Sequence, residues 1–146
     1  MERYAALIPA AKTYGVTVCL ENMPGIHGFV KTGADLKRFT DAIPGLCVCY
    51  DTGHGFSLEE KASSFFAAVG DKIRVLHVHD THRGLDRHLL PYTGIGDWAD
   101  FTKTLKDYGY KGTMNSESSF AANAPEKPDF CAFEASVYRR LADLSE

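Results

Sequence analysis

Glu21, Asp51, His77 and Glu117 are the residues of this chain whose types and spacing best fit one shared chemical task. Each closes a short apolar run: VTVCLE, LCVCYD, IRVLH and GTMNSE. The separations are 30, 26 and 40 residues, about one per strand–helix unit. In parallel α/β folds, residues at the carboxyl ends of neighbouring strands meet at one face. Three carboxylates and an imidazole meeting there make a site for Mn2+, Mg2+, Co2+ or Zn2+, and the donor types do not choose among these ions. Without a cysteine in the set, a closed structural zinc site is disfavoured. Taken singly, each residue has an ordinary explanation: a carboxylate pairing with lysine, an Asx-turn at Asp51, a satisfied core histidine at His77 or His79. Their common place in successive repeats argues for a joint role.

The elements that must position them follow from pattern. An amphipathic helix is expected over 2–14, stopped at Gly15. Strands are expected over 16–21, 46–50, 73–78 and 112–116. Thr32 caps a helix over 33–42 with Asp35 at its third position, and Pro44-Gly45 ends it. Ser57 and Glu60 have capping-box spacing before a helix over 58–69 that stops at Gly70. Asp97 caps a helix over 98–107, stopped at Gly109, and a last helix covers 128–143. The apolar strands predict burial on both faces, and the intervening helices predict right-handed parallel crossovers. The fold class is therefore α/β, with parallel (β/α) units and about four strands, either an open sheet or half of an eight-stranded barrel. Gly94-Ile95-Gly96 lacks both a third glycine and a preceding strand, so it is no dinucleotide fingerprint.

With 146 residues, 45% of them apolar, the chain is sized for one domain with its own core. A net charge of −3 gives no bulk attraction to nucleic acid or anionic membrane. No run approaches the roughly 18 apolar residues of a membrane span. Cys19, Cys47 and Cys49 lie in strand-like runs, and Cys47 and Cys49 share a strand face, so neither is placed to pair with the other. With Cys131, they suggest a reduced, cytoplasmic protein. Gly53 allows a tight turn that faces Asp51 and His54 into one cavity. The polar loop 79–96 adds His82, Arg83, Arg87 and His88, groups able to bind hydroxyls or a phosphate.

The segments LENMP, DTGH and HVHDTHRGLDRHLLPYTGIGDW, with Glu117 at the last strand, resemble the C-terminal part of the xylose isomerase-like TIM barrels. That superfamily holds sugar-phosphate isomerases and epimerases, ketose 3-epimerases, inosose dehydratases and metal-dependent apurinic endonucleases. The resemblance covers essentially the whole chain; it is specific for the superfamily and poorly specific for the reaction. It implies one divalent ion on Glu21, Asp51, His77 and Glu117. It implies substrate contacts from His54 and Arg83, with His88 beside them. Glu21 and Glu117 become the acid–base pair of a sugar or sugar phosphate isomerase or epimerase that works through a cis-enediolate. His27 stands where the ketose-epimerase branch has a further substrate-binding Glu. Asp86-Arg87-His88 resembles a zinc-binding Asp-x-His of the endonuclease branch and offers a second metal site on Asp86 and His88. A non-catalytic metal-binding half-barrel and an endonuclease-like metallohydrolase are the alternatives. A whole barrel needs about 250 residues. Residues 1–146 therefore read as one domain forming the C-terminal half of a barrel. It is expected as a fragment of a longer protein, a short reading frame, or a half completed by a second copy or another chain. A small sugar is the expected partner, with neither nucleic acid nor membrane.

Overall fold

The computed structural model describes residues 2–25, 28–119 and 130–145. In chain order these hold α1 (Glu2–Thr13), β1 (Cys19–Glu21), α2 (Gly33–Ala42), β2 (Cys47–Asp51), α3 (Thr52–Ser57), α4 (Ala62–Val69), a 3-10 turn (Gly70–Lys72), β3 (Ile73–Val78), α5 (Trp98–Tyr108), β4 (Thr113–Ser116) and α6 (Phe130–Ser145). The strands form one sheet in the order β1-β2-β3-β4. Every pairing is parallel, with Glu21 opposite Cys49, Asp51 opposite His77, and His77 opposite Asn115. Sequential order with helical crossovers is the topology of a TIM-barrel segment.

Because side chains alternate across a strand, each strand feeds two faces. Val48 and Tyr50 of β2 and Leu76 and Val78 of β3 face the helices. There they meet Leu36 of α2, Phe65 and Phe66 of α4, Phe101 and Leu105 of α5 and Leu141 of α6. The Tyr50 ring lies 4.2 Å from Phe65 and 6.0 Å, edge-on, from Phe66. Each such side chain contributes about 1.5–3 kcal/mol on burial, so this layer is the main support of the fold.

The opposite face corrects an expectation. Cys19, Cys47, Val75 and His77 are only partly buried there, and Thr113 and Asn115 are exposed, so no second helical layer covers it among the described residues. This is the face that a closed barrel turns to its interior, where inward-pointing residues alternate with outward ones along every strand. The apolar runs were a sign of barrel lining.

Capping mostly follows the sequence. Thr32 and Asp35 form the full reciprocal box on α2. Asp97 accepts from the Asp100 N–H, and Gly109, at φ 58°, ends α5. Three elements depart from expectation by two residues or more. The first strand begins at Cys19 rather than 16. The helix expected over 128–143 runs over Phe130–Ser145, with 128 and 129 outside the described residues. The helix expected over 58–69 begins only at Ala62, as α4; the short helix α3 before it was not expected, and in the turn between the two Glu59 takes a left-handed φ of 60°. Ser57 and Glu60 form no capping box. Ser57 donates to the His54 carbonyl, and Glu60 accepts from the Gly33 N–H of α2. Asp51 caps α3 instead, and Asp100 of α5 accepts from Ser63 at the start of α4. Sequence spacing shows local caps, whereas these partners come from other elements.

Candidate metal centre

The carboxyl ends of β1, β2 and β3, together with Glu117 just past β4, bring the four expected residues together. Asp51, His77 and Glu117 offer ligand atoms that all lie within 4.8 Å of one another. Glu21 joins them through His77: Glu21 Oε1 lies 3.5 Å and Glu117 Oε1 2.9 Å from His77 Nδ1. That nitrogen is buried and makes no hydrogen bond. The short approach of two carboxylates without an aligned bond is the environment a cation would resolve. The donor set, imidazole plus carboxylates, suits a divalent ion. Cys49, one alternation below Asp51 and opposite Glu21 in register, places its thiol within 4.8 Å of Glu21 and His77. Burial pushes that thiol far above its ordinary range, and the charges of Glu21 and Asp51 add to the effect.

A second cluster adjoins the first. His54 Nε2 lies 3.3 Å from Asp86 Oδ2, and His88 Nε2 3.3 Å from Asp86 Oδ1. His88 sits at a left-handed φ of 49° and stacks on His79 with ring centroids 4.3 Å apart. His79 Nε2 lies 3.0 Å from Asp51 Oδ1. Burial favours the neutral form of the His54 ring, but Glu21, the Asp51 charge, the Asn22 carbonyl and Asp86 overcome it and raise the pKa to about 9. His79 is raised in the same way, its burial outweighed by Asp51. Burial likewise favours the protonated form of Asp51, yet the bond and charge of His79 and the charge of His54 hold it below the usual carboxylate range.

Buried polar residues that the sequence reading passed over hold this arrangement. Asn22 donates to the Asp51 carbonyl at 3.0 Å and accepts from the Asp51 N–H at 2.8 Å, extending the β1–β2 ladder with a side chain. Thr52 donates to the His79 carbonyl at 2.7 Å and accepts from the His79 N–H at 3.0 Å. Asp80, fully buried, accepts four N–H bonds of 2.8–2.9 Å from Thr81, Gly94, Gly96 and the Trp98 indole. These bonds fix the base of the loop that carries Asp86 and His88. A Cβ on Gly94 would lie 2.2 Å from the Thr81 carbonyl, so this glycine serves close approach to Asp80. Gly53 also serves close approach rather than a tight turn: it lies within helical α3, and a Cβ there would lie 2.0 Å from the His79 ring.

Arg83 is placed elsewhere. Its side chain is 74% exposed and pairs with Glu59 at 2.9 Å. His82 and Arg87 are exposed, and His27 lies outside the described residues. Arg83 lines a separate cavity of about 240 Å3 with Glu59 and Lys61, whereas Lys31 lines the cavity beside His54, Asp86, Met23 and Leu85, a space of about 520 Å3. A more apolar cavity of about 340 Å3 reaches Glu21 past Leu20, Met23, Phe29 and Phe39.

The description of the xylose isomerase-like TIM barrel matches residues 1–132. The chain belongs to that family. Fructoselysine 3-epimerase of Escherichia coli O157:H7 is 26% identical over 119 residues, 80% of this chain and 43% of that enzyme. An uncharacterised protein of Sinorhizobium fredii is 37% identical over 71 residues, 49% of this chain and 23% of that protein. Among solved structures, D-psicose 3-epimerase from Clostridium cellulolyticum H10, with D-tagatose, superposes with TM-score 0.77 at 18% identity, covering 99% of this chain and 55% of that one. The zinc-bound IolI protein superposes with TM-score 0.75 at 20% identity, covering 97% and 53%. At these identities the two structures speak for the fold alone. The chain spans less than half the length of the curated relatives it matches and about half of the solved ones. No helix among the described residues is long and apolar enough to cross a membrane.

Proposed function

We propose that this chain supplies the catalytic half of a divalent-metal-dependent isomerase or epimerase acting on a small sugar or sugar phosphate. The observation that carries the reading is His77 Nδ1, buried and unbonded between the carboxylates of Glu21 and Glu117. Glu21, Asp51, His77 and Glu117 would hold the ion, which when bound polarises a carbonyl and its neighbouring hydroxyl. β1 and β4 are the outer strands of the sheet, so Glu21 and Glu117 approach the site from opposite sides. One takes the proton next to the carbonyl and the other returns it on the opposite face of the enediolate, the geometry an epimerisation requires. His54, with Asp86 and His88 beside it, orients substrate hydroxyls at the mouth of the larger cavity. Lys31 lines that cavity and is the group placed to meet an anionic substituent, in place of Arg83. Residues 1–146 act as one structural unit whose open inner face is closed by further strands, from the rest of a longer protein, a second copy or another chain. The thiols are free, which fits a reducing, cytoplasmic setting.

Metal content, oligomeric mass and turnover of a ketose panel test this together. The chain should bind a divalent ion, and His77→Ala and Glu117→Gln should lose both ion and turnover. Unchanged turnover in both variants would overturn the reading. The His54–Asp86–His88 cluster supports a second reading, an endonuclease-like metallohydrolase; three zinc ions per chain and incision of abasic DNA would favour it. Normal metal binding with no turnover on any sugar would favour a non-catalytic half-barrel.

A further inference from the structure

The metal reading uses oxygen and nitrogen donors, but a sulfur donor faces the same point. Cys49 is 5% exposed, makes no disulfide, and projects from β2 on the same strand face as Asp51. Its sulfur, a Glu21 carboxylate oxygen and a His77 ring nitrogen lie within 4.8 Å of one another. The smallest circle through or around three such atoms has a radius of at most about 2.8 Å, so shifts of about 0.5 Å for sulfur and about 0.7 Å for nitrogen reach ordinary zinc–ligand lengths. His77 belongs both to this triad and to the Asp51–His77–Glu117 triad, and its Nδ1 is the buried atom without a hydrogen bond. The two triads therefore share the His77 ring, with Cys49 one alternation below Asp51 on the same strand.

We infer that Cys49 is a further protein ligand of this centre and makes it selective for thiophilic divalent ions, Zn2+, Co2+ or Cd2+, over Mg2+ and Mn2+. The inference rests on the metal site proposed above and names its donor set. When the metal–sulfur bond forms, the S–H bond breaks and the proton leaves to solvent; no electron is transferred. A thiolate prefers these softer ions, whereas Mg2+ and Mn2+ are held by carboxylate and water oxygens. Cys19, opposite Cys47 in register, lies further from the carboxyl end of the sheet and belongs to no such cluster among the described residues.

Cobalt substitution of the whole chain tests this without reference to turnover. Titration with Co2+ should produce visible d–d bands together with a near-ultraviolet thiolate-to-cobalt charge-transfer band. In Cys49→Ser and Cys49→Ala the near-ultraviolet band should vanish while the d–d bands remain. Zn2+ affinity should fall by about tenfold or more, as for loss of a supporting metal contact, with Mn2+ affinity changed by less than about threefold. Visible bands without the near-ultraviolet band in the parent, or survival of that band in both variants, overturn the inference and leave the oxygen–imidazole site standing. Absence of any cobalt spectrum in the parent removes the metal site itself, and the sulfur ligand with it.

Discussion

Asp80→Asn isolates the support of the site from its chemistry. The carboxylate is fully buried, with Oδ1 accepting from Thr81 and Gly96 and Oδ2 from Gly94 and Trp98. Asparagine keeps one oxygen and turns the other into an NH2 group. Whichever way it sits, two N–H donors then face another donor. Hydrogen bonds to a charged group are worth about 1.5–3 kcal/mol each, so losing two costs about 3–6 kcal/mol. Burying a neutral amide in place of a carboxylate returns part of that cost, leaving an expected loss of about 3 kcal/mol. With a urea m-value of about 2 kcal/mol/M, the unfolding midpoint falls by about 1.5 M. Trp98 is the only tryptophan, and its indole is one of the four donors, so its emission reports this locus alone. The variant should show a shifted Trp98 emission before unfolding begins, and weaker retention of metal where Asp86 and His88 take part. A midpoint shift below about 0.3 M with unchanged emission would refute the claim that Asp80 holds the loop.

Asn22→Ala leaves the buried Asp51 N–H unpaired and takes one of two bonds from the Asp51 carbonyl, at a cost of about 1–3 kcal/mol; a loss under about 0.5 kcal/mol in chemical denaturation would count against the clamp. Glu117→Gln should alter metal-free stability by no more than about 0.5 kcal/mol. With ligand at a hundred times its dissociation constant the parent gains about 2.7 kcal/mol, and thermal melts with and without Zn2+ should show that gain shrink in the variant. In the metal-free chain the His54 pKa of about 9 stands above the ordinary 6.5. Its contribution is therefore complete below pH 6.5 and is lost as pH rises through 9, by up to about 3 kcal/mol; His54→Gln should flatten the fall seen in the parent. Glu60 is half-buried, and desolvation, with the Asp35 charge, raises its pKa against the lowering bond from Gly33. It is thus destabilising once pH exceeds its ordinary value, so Glu60→Gln should raise Tm more at pH 7 than at pH 4, and a larger gain at pH 4 would reject this.

The parallel order of the strands and the convergence of Glu21, Asp51, His77 and Glu117 were readable because both follow from periodicity. A carboxylate that closes an apolar run must sit at a strand's carboxyl end, and in a parallel sheet those ends share one face. Partners chosen across the fold were not readable. Asn22 follows Glu21 and looks like the start of a loop, yet its amide completes the ladder to β2. Asp80 follows His79 and looks like one more polar loop residue, yet it collects donors from 14, 16 and 18 positions downstream. The spaced glycines and tryptophan of GIGDW were the available signal: donors without bulk imply an acceptor nearby. Where Arg83 points was not readable either, since a loop position does not fix a side chain's direction, and here it pairs with Glu59.

The acidic and imidazole groups of this site oppose one another in a way that explains why such clamps surround it. His54 turns one nitrogen to the Asn22 carbonyl and the other to Asp86, and His79 turns one to the Asp80 carbonyl and the other to Asp51. A neutral imidazole has one donor and one acceptor, so rings facing acceptors on both sides are held as cations. Without an added ion, these two charges balance the carboxylates packed beside them. His77 has no such arrangement; its Nδ1 meets carboxylates without bonding them. The cluster as a whole therefore offers little net stability of its own, since buried ion pairs give back in desolvation much of what they gain. Asn22, Thr52 and Asp80 work differently. Their partners are backbone groups and one indole, whose need for a partner does not depend on protonation or on metal. A frame built from such bonds keeps the ligand atoms within reach of one another whether or not the cation is present. Substitutions in the frame should thus cost stability in every condition, while substitutions of the ligands should show their main effect only when the ion is there.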